Sequence, residues 1–174
     1  SSAEDAVYCL DATTGQPRWS FLTEGPVRLA PAVADGRVFA GCDDGCLYCL
    51  DAATGDLQWK CRPSPEDRRL PGNGRMISLF PIRCGIAVAD GTVYCAAGLF
   101  PEHGVYLCAL AAGSGKEVWK QKIDVSPQGY LLASPTRLFV PTGRTAPSVY
   151  ERADGKTVGS LPGSGVDGRA GGGF

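Results

Sequence analysis

The segment YCLDATTGQPRW at residues 8–19 returns forty residues later as YCLDAATGDLQW at residues 48–59. A near-duplicate of that length at that offset marks a chain assembled from stacked units, each too small to bury its own apolar face. A third copy, Ala109-Leu110-Ala111-Ala112-Gly113-Ser114-Gly115, leads to Trp119 and keeps the glycine and the indole while losing the aspartate. A fourth, Val149-Tyr150-Glu151-Arg152-Ala153-Asp154-Gly155, runs to Gly159 with no tryptophan. A second recurrent piece lies upstream of three copies: AVADGRVFAG at 32–41, AVADGTVYCA at 87–96 and the weaker LASPTRLFVP at 132–141. Each unit therefore reads as four short strands joined by turns.

Composition agrees with that reading. The chain has 24 glycines and 13 prolines in 174 residues, and its apolar runs are short and bounded by Gly, Asp and Pro. This pattern predicts an all-β chain with many turns. Four strands in each unit of about 40 to 60 residues predict a β-propeller of four-stranded antiparallel blades. The expectation is one domain over 1–174 with about three and a half blades, a partial ring. Residues 5–22 supply two strands, 27–61, 77–122 and 125–161 supply complete blades, 62–76 form an insertion and 162–174 a Gly-rich tail. An open ring leaves apolar blade faces bare, so the expected partners are the remaining blades of a longer chain or a second copy. The half-blade start and the tail GSGVDGRAGGGF favour the longer chain. A net charge of -1 gives no broad attraction to nucleic acid, and no run approaches the roughly 18 to 20 apolar residues of a membrane span. The start SSAEDAVY lacks the basic and apolar regions of a signal peptide.

The repeated residues have physical tasks. Asp11 and Asp51 suit a turn in which a carboxylate caps backbone amides, with Thr14 and Thr54 assisting. Gly15, Gly55 and Gly115 suit the positive φ of a tight bend. Four residues on, Trp19, Trp59 and Trp119 each offer a flat apolar surface and one N–H donor, suited to fasten neighbouring blades.

Among the eight cysteines, Cys84, Cys95 and Cys108 fall inside predicted strands as small packing residues. Cys42, Cys46 and Cys49 have a C-x3-C-x2-C spacing, but Cys46 and Cys49 fall on one extended strand and point to opposite faces, which argues against zinc. A Cys42–Cys46 disulfide across the DDG turn stays open as an alternative. The insertion region RPSPEDRRLPGNGRMISLFPIR at 62–83 concentrates Arg62, Arg68, Arg69, Arg75 and Arg83. Long loops in compact domains often bind ligands, and guanidinium groups grip carboxylate or phosphate; the alternative is a solvated loop partly balanced by Glu66 and Asp67. Glu102 and His103 in GLFPEHG, and Arg144 in PTGRTAP, are further ligand-contact candidates, with polar surface turns as the alternative.

The pattern small-x-Asp-x-x-Thr-Gly-x-x-x-Trp resembles the tryptophan-docking motif of pyrroloquinoline quinone (PQQ) type β-propellers. That family includes quinoprotein alcohol dehydrogenases and the noncatalytic propeller lipoprotein of outer-membrane protein assembly. The resemblance spans residues 5 to about 161, and GCDDGCLYCLDAATG, RMISLFPIRCG and SPQGYLLASPTRLFVPTGR look closest to planctomycete-type PQQ-like repeat proteins of unassigned function. Cys9 and Cys49 stand where the family motif usually has alanine. The resemblance implies a ring of about seven or eight blades and a bacterial, extracytoplasmic (periplasmic) setting. Catalytic members hold PQQ and Ca²⁺, and many carry two adjacent cysteines against the quinone. Here no two cysteines are adjacent and Asn73 is the sole asparagine. The preferred expectation is a noncatalytic binding or scaffold module with no cofactor, which engages a protein, peptide or saccharide through its loops. The alternative is part of a PQQ- and calcium-dependent dehydrogenase of alcohols or sugars.

Overall fold

The computed structural model describes residues 5–72, 74–143 and 145–161, and every regular element among them is a β-strand. A two-stranded sheet comes first, β1 (Ala6–Leu10) with β2 (Pro17–Leu22). Three four-stranded antiparallel sheets follow, each in simple sequential order. The second sheet holds β3 (Ala32–Ala34), β4 (Arg37–Gly41), β5 (Leu47–Asp51) and β6 (Leu57–Cys61). Between it and the next sheet lie a hairpin of β7 (Arg69–Gly72) with β8 (Arg75–Ser78), and the short β9 (Cys84–Gly85). The third sheet holds β10 (Ala87–Ala89), β11 (Thr92–Ala97), β12 (Val105–Ala111) and β13 (Glu117–Ile123). After β14 (Gly129–Tyr130), the fourth holds β15 (Leu132–Ala133), β16 (Arg137–Val140), β17 (Ser148–Glu151) and β18 (Thr157–Ser160). These sheets are propeller blades. Residues 62–76 are therefore not a plain loop, because Arg69–Gly72 already begin the β7–β8 hairpin, which extends to Ser78. The tail 162–174 lies outside the described residues.

The three tryptophans occupy equivalent places. Trp19 donates its indole Nε1–H to the Ala52 carbonyl at 3.0 Å, Trp59 to Ala112 at 3.0 Å and Trp119 to Arg152 at 3.1 Å. Each indole thus leaves the outer strand of its own blade and lands on the β-turn of the next. The landing point is a glycine in the left-handed region, Gly55 at φ +81, Gly115 at +68 and Gly155 at +72. A Cβ there would come within 2.7 Å of Trp19, 2.7 Å of Trp59 and 2.5 Å of Trp119 respectively. Glycine is needed at these sites twice over, for its backbone angle and for the ring lying on its Cα.

The turns themselves are closed by backbone. Gly15 N–H donates to the Asp11 carbonyl at 2.7 Å and Gly55 to Asp51 at 2.9 Å, and Gly115 and Gly155 repeat the bond to Ala111 and Glu151. In the first two turns the aspartate adds its expected cap. Asp11 Oδ1 accepts from the amides of Thr13 and Thr14 at 3.0 and 2.9 Å, and Asp51 Oδ1 from Ala53 and Thr54 at 2.9 and 3.0 Å. The Arg18 guanidinium, joined by those amides, holds the Asp11 carboxyl at about 2.

Within a blade, one row of side chains shapes the face that carries the indole. Phe39 is opposite Cys49, which is opposite Trp59; Tyr94 is opposite Ala109, which is opposite Trp119. The central residue is small, so the flanking rings reach toward one another across it, with centroids 5.9 and 6.1 Å apart. Cysteine at position 49 does the work that alanine does at 109. All eight cysteines are free thiols. Cys42 Sγ donates to the Gly25 carbonyl at 3.1 Å, so the disulfide alternative with Cys46 is not formed. Burial pushes the thiols of Cys46 and Cys49 up to about 11 and that of Cys84 up to about 12, as expected of packing residues.

Gly15 is the exception among the four turn glycines, since a Cβ there would meet nothing within 4 Å. This contrast is measurable. Gly15→Ala should lose about 1–2 kcal/mol for the left-handed backbone. Gly115→Ala should lose about 1–3 kcal/mol more by displacing the Trp59 ring. Urea midpoints of the two variants would show the gap; equal losses would contradict the assigned stacking.

Candidate functional site

Alternating strand direction sorts the connections of each blade to two ends. The short turns at 34–37, 51–57, 89–92, 111–117, 133–137 and 151–157 share one end with the docked indoles. The connections at 22–32, 41–47, 61–87, 97–105, 123–132 and 140–148, most of them longer, share the other. Arg68, Arg69, Arg75, Arg83, Glu102 and His103 all fall in this second group, so the fold gathers them on one loop-bearing end. Arg144 lies outside the described residues.

That end is held by a buried charge group that sequence reasoning did not identify. The Asp43 side chain is fully buried in the β4–β5 turn. Arg83 donates to it through Nε at 2.6 Å and through a terminal nitrogen at 2.7 Å, and Arg28 Nε donates at 2.7 Å. Arg28 precedes β3 and Arg83 precedes β10, each by four residues, so the carboxylate ties together the approaches to two adjacent inner strands. Burial alone would push the Asp43 carboxyl up, but hydrogen bonds from Arg83 and Arg28 outweigh it and hold the group below its ordinary value. Backbone bonds lock the same turn, with Asp43 N–H donating to Pro26 and the Ser78 N–H donating to Asp43. The only sequence signal was an Arg four places before two inner strands, together with the acidic pair of the CDDG turn.

The insertion arginines divide by task. Arg62 donates to the Asp44 carbonyl at 2.7 Å, and Arg75 reaches across to both oxygens of Asp5 at 2.6 Å. Arg69 pairs with Asp67 at 3.3 Å. The Arg75–Asp5 pair and the Ser78 N–H on the Asp43 carbonyl tie the β7–β8 hairpin to the first two sheets, and Arg62 and Arg83 brace the β4–β5 turn to which it is tied. Among the described residues, Arg68 is the insertion arginine with no ion pair, and the neighbouring strand leaves Met76 56% exposed. Glu102 and His103 sit exposed in the β11–β12 connection, where the His103 ring meets the edge of a half-exposed Phe100. They do not adjoin a nucleophile or a second acid–base group in any described contact.

A calcium-assisted quinone site requires several carboxylate and amide oxygens converging on one point. Among the described residues no three His, Cys, Asp or Glu side chains converge in this way. The two buried carboxylates of the loop-bearing end are already saturated, Asp43 by two guanidinium groups and Asp44 by the Tyr48 hydroxyl at 2.6 Å and the Cys46 amide at 2.8 Å. The donor set of these residues does not fit PQQ with calcium. No helix is long and apolar enough to cross a membrane among the described residues.

Residues 1–78 match the family model described as outer membrane protein assembly factor BamB. No curated protein sequence matches the chain. Among solved structures, BamB from Moraxella catarrhalis is similar over 91% of this chain and 43% of its own, with 20% identity and a TM-score of 0.64. The quinohemoprotein alcohol dehydrogenase ADHIIG from Pseudomonas putida HK5 is similar over 88% of this chain and 30% of its own, at 18% identity and a TM-score of 0.70. The quinohemoprotein alcohol dehydrogenase from Comamonas testosteroni is similar over 90% of this chain and 23% of its own, at 20% identity and 0.57. The chain therefore spans less than half the length of each, and at these identities the likeness establishes the fold.

The Asp43 group gives a prediction of its own. Its carboxyl is depressed in the folded state, so its stabilisation is complete above the ordinary carboxylate value of about 4 and is lost as pH falls through the folded value. Asp43→Asn should therefore destabilise the chain at pH 7 by about 3–5 kcal/mol. It should also flatten the acid limb of a stability–pH curve followed by circular dichroism.

Proposed function

We propose that this chain, a PQQ-like repeat β-propeller, is a noncatalytic binding or scaffold module whose loop-bearing end engages a protein, peptide or saccharide ligand. The observation that carries this reading is the bracing of the insertion. Arg75 is spent on tying the β7–β8 hairpin to Asp5, and Arg62 and Arg83 on bracing the β4–β5 turn that the hairpin bonds to, while Arg68 and Met76 are left exposed beside and on it. A pre-shaped hairpin with one unpaired guanidinium and one exposed thioether suits recognition, because little ordering entropy is lost on contact. Arg68 and Arg69 are the leading contact residues, and Glu102, His103 and Arg144 are secondary ones. Arg75 and Arg83 act by holding the surface in shape. The saturated state of Asp43 and Asp44 favours this reading over the dehydrogenase alternative, which rests on the fold shared with the two alcohol dehydrogenases. The family match to an outer membrane assembly factor supports an extracytoplasmic setting, and the relatives' greater length supports further blades completing the ring.

Peptide and oligosaccharide arrays followed by calorimetry on the best probe provide the test. Arg68→Ala combined with Arg69→Ala should weaken that probe about tenfold, or about 1.4 kcal/mol, with an unchanged melting temperature. Unchanged affinity would remove the hairpin as the contact element. Dye reduction with an alcohol after addition of PQQ and Ca²⁺ would instead favour the dehydrogenase.

A further inference from the structure

The junction between the third and fourth sheets differs from the one before it. Both sheets are complete, and at the turn end they leave a groove of about 370 Å³ between them, walled by Tyr94, Val118, Trp119, Pro135, Glu151 and Arg152 among others. That volume falls in the range of about 300–1,000 Å³ usual for small-molecule sites. The preceding junction has Phe39 and Ala112 where this one has Tyr94 and Arg152, so a hydroxyl and a guanidinium are added here to the same framework. The Arg152 side chain is 13% exposed and firmly held. Its Nε donates to the Tyr94 hydroxyl at 3.0 Å, its Nη1 to the Ser134 carbonyl at 2.9 Å and its Nη2 to the Asp90 carboxylate. A guanidinium has five N–H donors, so two are left over. Glu151 accepts from Arg137 through Oε2, and among the described residues no donor reaches its Oε1 or the hydroxyls of Thr92 and Thr136 that border the groove.

We infer that this groove is a binding site for a neutral sugar residue. Its charges cancel, Arg137 and Arg152 against Glu151 and Asp90, so it offers no net attraction to an acidic or a basic ligand. What it offers is an aromatic and apolar wall beside fixed hydrogen-bonding groups of every kind: spare guanidinium N–H donors, a carboxylate oxygen that accepts, and two hydroxyls that do either. A pyranose has the matching surface, an apolar C–H face ringed by hydroxyls that each donate and accept. The C–H face packs against Val118, Trp119 and Pro135, and the hydroxyls meet Thr136, Glu151 and Arg152. A purely aliphatic ligand would cover those polar groups without pairing them, and that cost rejects it. Arg152 is braced before any ligand arrives, so little ordering entropy is lost on contact. The groove lies at the opposite end of the blades from the long connections and is independent of ligand binding there.

The chain labelled with ¹⁵N gives three indole N–H signals, one each for Trp19, Trp59 and Trp119, and they form the test. The probes are maltose, cellobiose and chitobiose, titrated to millimolar concentration. At least one should move the Trp119 indole signal and the amides of Thr136 and Ala153, while the indole signals of Trp19 and Trp59 stay in place. Thr136→Val and Glu151→Gln should each weaken that sugar about tenfold by removing one hydrogen bond to it, with an unchanged melting temperature. Failure of every sugar to move the Trp119 indole, or movement of all three indoles alike, would overturn the inference. So would a response that both variants leave at full strength. A response confined to the amides of the 97–105 connection would also overturn it, and would assign the saccharide to the loop-bearing end instead.

Discussion

An indole lying flat on a glycine bend, with its N–H on a main-chain carbonyl, is the contact on which the rest of the structure depends. Four-stranded blades this small cannot bury their faces alone, so each relies on the next for its core. The stacking of Trp19, Trp59 and Trp119 fixes the rotation and distance between successive blades at the turn end. Once that spacing is set, the faces between blades close around Leu47, Val93, Val105, Leu107 and Leu138, all fully buried. The opposite end is then free to carry longer connections, because it is not asked to set the spacing. It needs only local ties, of which Arg28–Asp43–Arg83 is the strongest.

The fastener tolerates drift in its own turn. Its acceptor is backbone, and its platform is a Cα, so neither depends on the side chains between them. The third and fourth turns have lost the capping aspartate, with Ala111 and Glu151 in its place, and still receive Trp59 and Trp119 with the same bond lengths to within 0.1 Å. What cannot drift is the glycine. Arg152 shows how far a turn residue can diverge: its carbonyl serves Trp119, while its guanidinium bonds the Tyr94 hydroxyl, the Ser134 carbonyl and Asp90.

Much of this architecture was legible from sequence because each unit carries both halves of the fastener in one short motif, a glycine bend and a tryptophan four residues apart, and repetition supplies the register that brings the indole of one unit to the bend of the next. The middle row was half legible. The cysteines read as packing residues, but the role of Cys49 as a small spacer between Phe39 and Trp59 depends on cross-strand pairing. The loop-bearing end was the least readable. Asp43 is 15 residues from Arg28 and 40 from Arg83, so nothing local announces that they meet. The insertion arginines looked like one basic cluster, yet their partners are scattered: Asp5 ahead of β1, Asp43 and Asp44 in the β4–β5 turn, and Asp67 within the insertion. Pro71 and the glycine-rich turn after it hid the β7–β8 hairpin, since proline lowers the expectation of a strand although an edge position accommodates it.

The spacing of the three indoles has an optical consequence. Each ring rests on one boundary between neighbouring sheets and on no other, so intrinsic emission from this chain is three separate signals, one for each boundary. A variant retaining a single tryptophan would report the opening of one chosen seam, and the three variants together would show which seam parts first as the ring is pulled or warmed.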